Sequence, residues 1–447
     1  MTQLQYAIAG KITPEMEYVA QSEGLDPRII MEKVKEGKVV IPANKIHLSK
    51  NLKKLVGIGE GLKTKVNANL GTSFDYVNIE EEKEKLKVAV KYGADTVMDL
   101  STGGNLREIR KALMEICEVP IGSVPVYEAE FDIVKKKNSI FDLEHEDFLE
   151  AVETHAKDGV DFMTIHAGIT LEGIRFMKEQ GRTTWIVSRG GGLLAAWMLY
   201  HNRENPLYEK FDDILDICRT YDVTISLGDS LRPGSIADSL DRAQVHELLI
   251  LGELVDRARK ACVQVMVEGP GHVPLNEIKT QVQLQKKICK NAPFYILGML
   301  PTDIGAGWDH IVGAIGGAVA GSYGADMLCY ITPAEHLGLP TVEHVREGVI
   351  AFKIAAHIAD ISKGIKSEIE RDNLMSKARY SLDWESQFKL ALDPETARKI
   401  YDERATKTKA CSMCGPFCPM NLIEKFVNDA KKAREEVREK LTYLLKV

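Results

Sequence analysis

Nowhere in this chain do apolar residues run unbroken for the roughly 20 positions that a membrane span needs. The nearest approach, IVGAIGGAVAGSYGADMLCYIT, is interrupted by Asp326 and lies inside a strand–helix pattern. A surplus of positive charge is also missing. The formal net charge is -7, which excludes long-range attraction to nucleic acid or to an anionic membrane. The opening MTQLQYAIAGKITPEMEY has no basic run followed by an apolar one, so no secretory leader is expected. Cysteine is sparse, with eight in 447 residues. Without secretory context these thiols indicate a reducing cytoplasm, where clustered cysteines hold metal rather than pair with each other.

What is present is ordinary globular composition, 45% hydrophobic and 28% charged. The length suits a (β/α)₈ barrel of about 250 residues with additions at both ends. Residues 1–60 read as short helices: Thr13-Pro14 caps one that Gly24 closes, and Asp26-Pro27 opens another that ends near Gly37. Residues 61–340 alternate short β-branched runs with amphipathic helical patterns such as IEEEKEKLKVAVKYG, the signature of a parallel sheet. Nine runs qualify as strands for the eight places of a barrel: KVNANLG, TVMDLST, GSVPVYE, DFMTIHAG, TTWIVSRG, VTISLGDSL, VQVMVEGPGH, PFYILGM and ADMLCYIT. One of them must lie elsewhere. An open doubly wound sheet is the competing arrangement, but no G-x-G-x-x-G turn follows the first strand. Residues 341–405 are helical and charged, and residues 406–447 form a small module joined by the polar run DERATKTKA, read as a mobile tether.

Polar residues collect where the strands end. Asn69, Met98, Tyr127, His166, the Ser188-Arg189-Gly190 turn, Asp229 with Arg232, Glu268 and Tyr295 all fall at C-terminal strand ends, as do His272 and His336. In a barrel these ends share one face, the face where barrel enzymes keep their active sites. A single such residue is often only a loop cap; so many together are hard to explain by turn chemistry. SRGGG and LRPGS combine a hydroxyl, guanidinium groups and glycines that suit a phosphate. His272 and His336 make half a ligand shell for a divalent metal.

Near the end stands CSMCGPFC, with Cys411, Cys414 and Cys418 inside eight residues and no fourth thiol nearby. Structural zinc sites take four ligands, so zinc here requires a distant one. Three thiolates on a [4Fe-4S] cluster instead leave one iron free for S-adenosylmethionine (SAM), which one electron cleaves to a 5′-deoxyadenosyl radical. The spacing CxxCxxxC differs from the familiar CxxxCxxC, and both readings stand on the cysteines alone. Two further readings remain: a zinc-stabilised binding protein, and a metal-dependent barrel hydrolase or aldolase built on His272 and His336.

In this order KVNANLGTS, TVMDLSTGG, VPVYEA, IVSRGGG, LRPGSIAD, VQVMVEGPGHVP, MLCYITPAEHLGLP and CSMCGPFC resemble the phosphomethylpyrimidine synthase family, and the resemblance spans nearly the whole chain. It implies a radical-SAM (β/α)₈ barrel that forms homodimers and rearranges 5-aminoimidazole ribotide, with an external electron donor such as flavodoxin or ferredoxin. It implies that Asn69, Met98, Tyr127, His166, Ser188, Arg189, Gly190, Asp229, Arg232, Glu268 and Tyr295 surround the ribotide, with Glu268, Asp229 and Tyr295 as the catalytic candidates. It places Zn²⁺ on His272 and His336 and the [4Fe-4S] cluster on Cys411, Cys414 and Cys418. Three departures bear on the product: Glu128 replaces a common Gln, FCPMN replaces FCSMK or FCAMK, and TDIGAGWDH replaces TDIAPGYDH. Taken as changes at the active-site rim, with Trp308 offering a surface for a bicyclic product, they favour the sister activity of 5-hydroxybenzimidazole synthesis. Thiamine pyrimidine phosphate synthesis is the alternative.

Overall fold

Short helices with side-chain caps begin the chain, as the punctuation predicts. Thr13 accepts the Met16 amide at the head of Pro14–Glu23, and Gly24 ends that helix at φ 68°. Asp26 accepts the Arg28 amide and opens Pro27–Lys35. In the computed structural model, which describes residues 1–137, 139–404, 406–427 and 429–444, an antiparallel ribbon of β1 (Val39–Val40) and β2 (Ile58–Gly59) follows.

Eight parallel strands then close into a barrel. They are β3 (Lys65–Leu70), β4 (Thr96–Asp99), β5 (Ile121–Ser123), β6 (Phe162–Ile165), β7 (Thr224–Leu227), β8 (Val265–Gly269), β9 (Phe294–Leu297) and β10 (Met327–Cys329), with β10 pairing back to β3. The (β/α)₈ expectation is met.

TTWIVSRG is the run that lies outside the barrel. Residues 181–188 form an irregular segment whose backbone bonds go to a carboxylate rather than to a strand. Asp238 accepts the amides of Thr183 and Thr184 at 2.8 and 2.9 Å. Trp185 and Val187 are exposed, so its β-branched composition marks a loop surface instead of a buried ladder.

Register at the lower rim is set by a repeated Gly-x-Asp. Gly93, Gly159 and Gly324 take φ of 106°, 108° and 119°, which a side chain disfavours, and turn the chain from helix to strand. Two residues on, Asp95, Asp161 and Asp326 each accept an amide of the adjacent strand: Val66, Ile121 and Phe294, all at 2.8 Å. The N-terminal segment fastens to this same rim. Asp161 also holds His47 Nδ1 at 2.7 Å, Asn44 donates to the carbonyls of Ala156 and Val160, and Gln264 makes two bonds to the Ile41 backbone.

Residues fall into two compact units, Met1–Ala359 and Asp360–Val447. The second is helical and has its own small core of Leu374, Ala378, Leu390, Val437 and Leu441. Within the polar run read as a tether, Ala405 lies outside the described residues. The end of that run is packed within its unit: Trp384 donates to the Lys409 carbonyl at 2.8 Å, and Ala410 is buried. Among the described residues no helix is long and apolar enough to cross a membrane.

Candidate active site

Period-two alternation sends Asn69, Met98, Glu268 and Tyr295 into the barrel, while Tyr127, His166, Asp229 and Arg232 come from residues just past the strands. All eight line one concave pocket at the C-terminal mouth, about 490 Å³ counted out to open solvent. Ser188, Arg189 and Gly190 stand immediately behind its wall. Ser188 caps the Arg189–His201 helix by accepting the Gly191 amide, and its hydroxyl lies 3.0 Å from His166 Nε2. A Cβ added at Gly190 would come within 2.8 Å of the His166 ring, so only glycine lets that helix terminus approach. The Arg189 guanidinium sits 5.2 Å from the centre of the Tyr127 ring.

Electrostatics divide the wall by protonation state. Burial holds His166 neutral, pulling its pKa down to about 3 with help from the Arg232 charge. Its Nδ1 is buried without a hydrogen-bond partner, which leaves one ring nitrogen for a ligand. Glu268 is pushed up to about 7, first by burial and then by the neighbouring Asp229 carboxylate. Asp229 is raised by burial against the pull of Arg232, which it meets at 3.1 Å. Two carboxyl groups and one guanidinium therefore share a site in which a proton moves readily near neutral pH.

Several site residues escaped the sequence reading. Thr164 and Ser226 donate to Glu268 Oε1 at 2.6 and 2.7 Å. Asn67 donates to the Tyr295 hydroxyl at 2.7 Å, and Asn69 Nδ2 lies 3.0 Å from Cys329 Sγ. The period-two rule could have found Thr164, two residues before His166, and Asn67, two before Asn69. Beneath the 229–232 turn, Glu247 accepts the amides of Ser230 and Leu231 at 2.8 and 2.6 Å.

The imidazoles of His272 and His336 face each other with ring centres 5.3 Å apart. Asp303 hydrogen-bonds His272 Nδ1 at 2.8 Å and so orients that ring, while Asp309 lies 3.2 Å from His336 Nδ1 without a hydrogen bond. That orientation suits a metal, but the protein ligands stop at two. Among the described residues no group of three or more His, Cys, Asp or Glu side chains is arranged to hold an ion. Cys411, Cys414 and Cys418 share one turn, closed by bonds from Gly415 N to Cys411 O and from Phe417 N to Cys414 O. Cys418 is buried and the other two are half-buried. Three thiols with no carboxylate or imidazole among them have the chemistry of an iron–sulfur donor set, but in this structure they are not gathered around one ion position.

The match of this chain to known sequences places it in the radical-SAM class of enzymes. The chain matches the radical SAM ThiC family over residues 2–425, and it is a member of that family. It is 64% identical over 424 residues to a phosphomethylpyrimidine synthase of Thermus thermophilus, covering 95% of this chain and 97% of that one. The phosphomethylpyrimidine synthases of Dehalococcoides mccartyi strain CBDB1 and Desulforamulus reducens are 60% and 55% identical, covering 95% and 96% of this chain and 98% of each relative. Membership implies SAM and a [4Fe-4S] cluster.

These relatives overturn the expectation of 5-hydroxybenzimidazole, and the geometry shows why the cited departures misled. Glu128 does not face the pocket: it bonds His155 at 2.8 Å and Arg110 in a buried network, and these partners hold its carboxyl down near a pKa of about 2 against burial. Trp308 is 65% exposed, beside His310, and contributes nothing to the pocket wall.

Proposed function

We propose that this enzyme converts 5-aminoimidazole ribotide to 4-amino-5-hydroxymethyl-2-methylpyrimidine phosphate, the pyrimidine of thiamine. One observation carries the reading: the donor set of the mouth matches a ribotide. Arg189 and the amides of the Ser188-capped helix terminus suit the phosphate. The unpaired His166 Nδ1 offers a substrate hydroxyl or amine one hydrogen bond, its direction set by the ring tautomer, and the Asp229–Glu268 pair moves a proton on the imidazole side. Arg232 neutralises the carboxylate that remains, and Asn67 fixes the Tyr295 hydroxyl so that it points into the cavity in one orientation. When held by Cys411, Cys414 and Cys418, a [4Fe-4S] cluster with one iron free of protein ligands supplies one-electron reductive cleavage of SAM.

His272 and His336 are assigned to a divalent metal, zinc by its preference for imidazole. An external flavodoxin- or ferredoxin-like donor delivers the electron, and the protein acts as a homodimer. The test is anaerobic incubation of reconstituted protein with the ribotide, SAM and reductant, read by mass spectrometry. Pyrimidine phosphate, formate and 5′-deoxyadenosine are expected; consumption of the ribotide to any other product overturns the reading.

A further inference from the structure

Behind the mouth, between β8 and the helices Arg242–Lys260 and Ile278–Ile288, lies a second cavity. It measures about 30 Å³ by the positions that a water-sized sphere can take. One water needs roughly 10–15 Å³ by that measure, so the space admits about two. Asp229, Glu268 and Gly269 line this chamber and also the mouth, so they form the wall between the two. Its rear is polar, with Glu247, Gln244, Gln281 and Gln285. Gln285 is 1% exposed and Asp229 6% exposed, yet Gln285 Oε1 and Asp229 Oδ2 have no hydrogen-bond partner among the described residues. Buried polar atoms in native proteins are rarely left so, and these two adjoin a space roomy enough for ordered water, with Gln244, Glu247 and Gln281 as further polar partners in a wall otherwise largely apolar.

We infer that this rear chamber holds ordered water that connects Glu247 to the Asp229–Glu268 pair and serves as a one-proton store for turnover. The proposal rests on the functional reading above. Among the described residues three titratable groups face the chamber, Asp229, Glu247 and Glu268; Arg232, His166 and Tyr127 face the pair from the mouth side. Burial, reinforced by Asp229, raises Glu247 to about 8, so it carries a proton at neutral pH. With substrate in the mouth, the rear chamber gives the ionised pair a second route of resupply. The Glu247 O–H bond breaks as its proton passes to a water, and that water gives one of its own protons to the Asp229–Glu268 carboxylate. Glu247 is left as a carboxylate, received by the amides of Ser230 and Leu231. When product leaves and the mouth rehydrates, the pair takes a proton from bulk water and passes one back through the chamber water to Glu247, so protons balance over the cycle.

The test uses the reconstituted holoenzyme. A crystal structure should show a water within hydrogen-bonding distance of Gln285 Oε1 and Asp229. Gln285→Leu should remove that water and lower kcat about tenfold, with KM for the ribotide unchanged and the pH–rate profile displaced. Gln285→Asn, whose shorter amide leaves room for another water, should restore both. Glu247→Gln should lower kcat to a similar extent, and the double variant Glu247→Gln with Gln285→Leu should fall no further, because both break one path. A dry chamber, a Leu variant with unaltered kcat and pH profile, or multiplicative losses in the double variant overturns the proposal. Failure of the functional reading is separate: it shows in the product, whereas the chamber water is read from the structure.

Discussion

Glu268 concentrates the chemistry of the mouth in one side chain. Thr164 and Ser226 both donate to a single oxygen, Oε1, and favour the ionised form, while burial and Asp229 oppose it and prevail. Because its pKa rises from 4.5 to about 7, its contribution to folding is complete below pH 4.5 and is lost as pH climbs through about 7. Glu268→Gln should therefore melt higher relative to the parent above pH 7 than below pH 4.5, as read by calorimetry. The same variant should lose about 10²–10⁴ in kcat, and the rise in rate through pH 7 should vanish with it. The histidine pair gives a second prediction at this scale. Replacing His272 and His336 together by Ala should release about one equivalent of divalent metal per chain with cluster iron unchanged, by elemental analysis. Unaltered non-cluster metal would refute the assignment.

Elements place these residues, and here the sequence was legible to different depths. The barrel could be read because buried parallel strands are short apolar runs between helical patterns. Asn69, Met98, Glu268 and Tyr295 could be placed because side chains alternate along a strand. TTWIVSRG defeated the same rule: exposed Trp185 and Val187 have strand-like composition, and composition does not reveal where backbone amides bond. Glu128 was misread as a rim residue for a related reason. Adjacency to Tyr127 says nothing of which face of a helix a side chain takes, and Glu128 takes the one facing Arg110 and His155. Glycine at position 190 was read as suiting a phosphate, whereas the neighbour a side chain there would meet is the His166 ring. Gly190→Ala should push that ring or the Ser188 turn aside at a cost of about 1–3 kcal/mol. Expected readouts are a KM for the ribotide raised tenfold or more and a barrel whose circular dichroism is unchanged.

At the scale of the whole molecule, the chain separates its two chemistries. The residues that line the mouth belong to the unit ending at Ala359, and the three thiols belong to the unit beginning at Asp360. The second unit has its own core, so damage to the thiols should leave the barrel intact. Replacing Cys411, Cys414 or Cys418 by Ala should abolish cluster iron and 5′-deoxyadenosine formation while the thermal unfolding of the barrel stays within about 1 kcal/mol of the parent. The same separation makes the proposed homodimer testable by complementation. A chain carrying Cys414→Ala keeps a sound mouth, and one carrying His166→Ala keeps sound thiols. Mixed under conditions that let subunits exchange, the two inactive proteins should form heterodimers that regain part of the parental activity, because each heterodimer contains one sound mouth and one sound cluster. Recovery should rise with incubation time and saturate when the mixture reaches its statistical share of heterodimers. If exchange is shown by mass spectrometry of the mixed dimers and no activity returns, each chain serves only its own barrel, and dimerisation has no part in assembling the site.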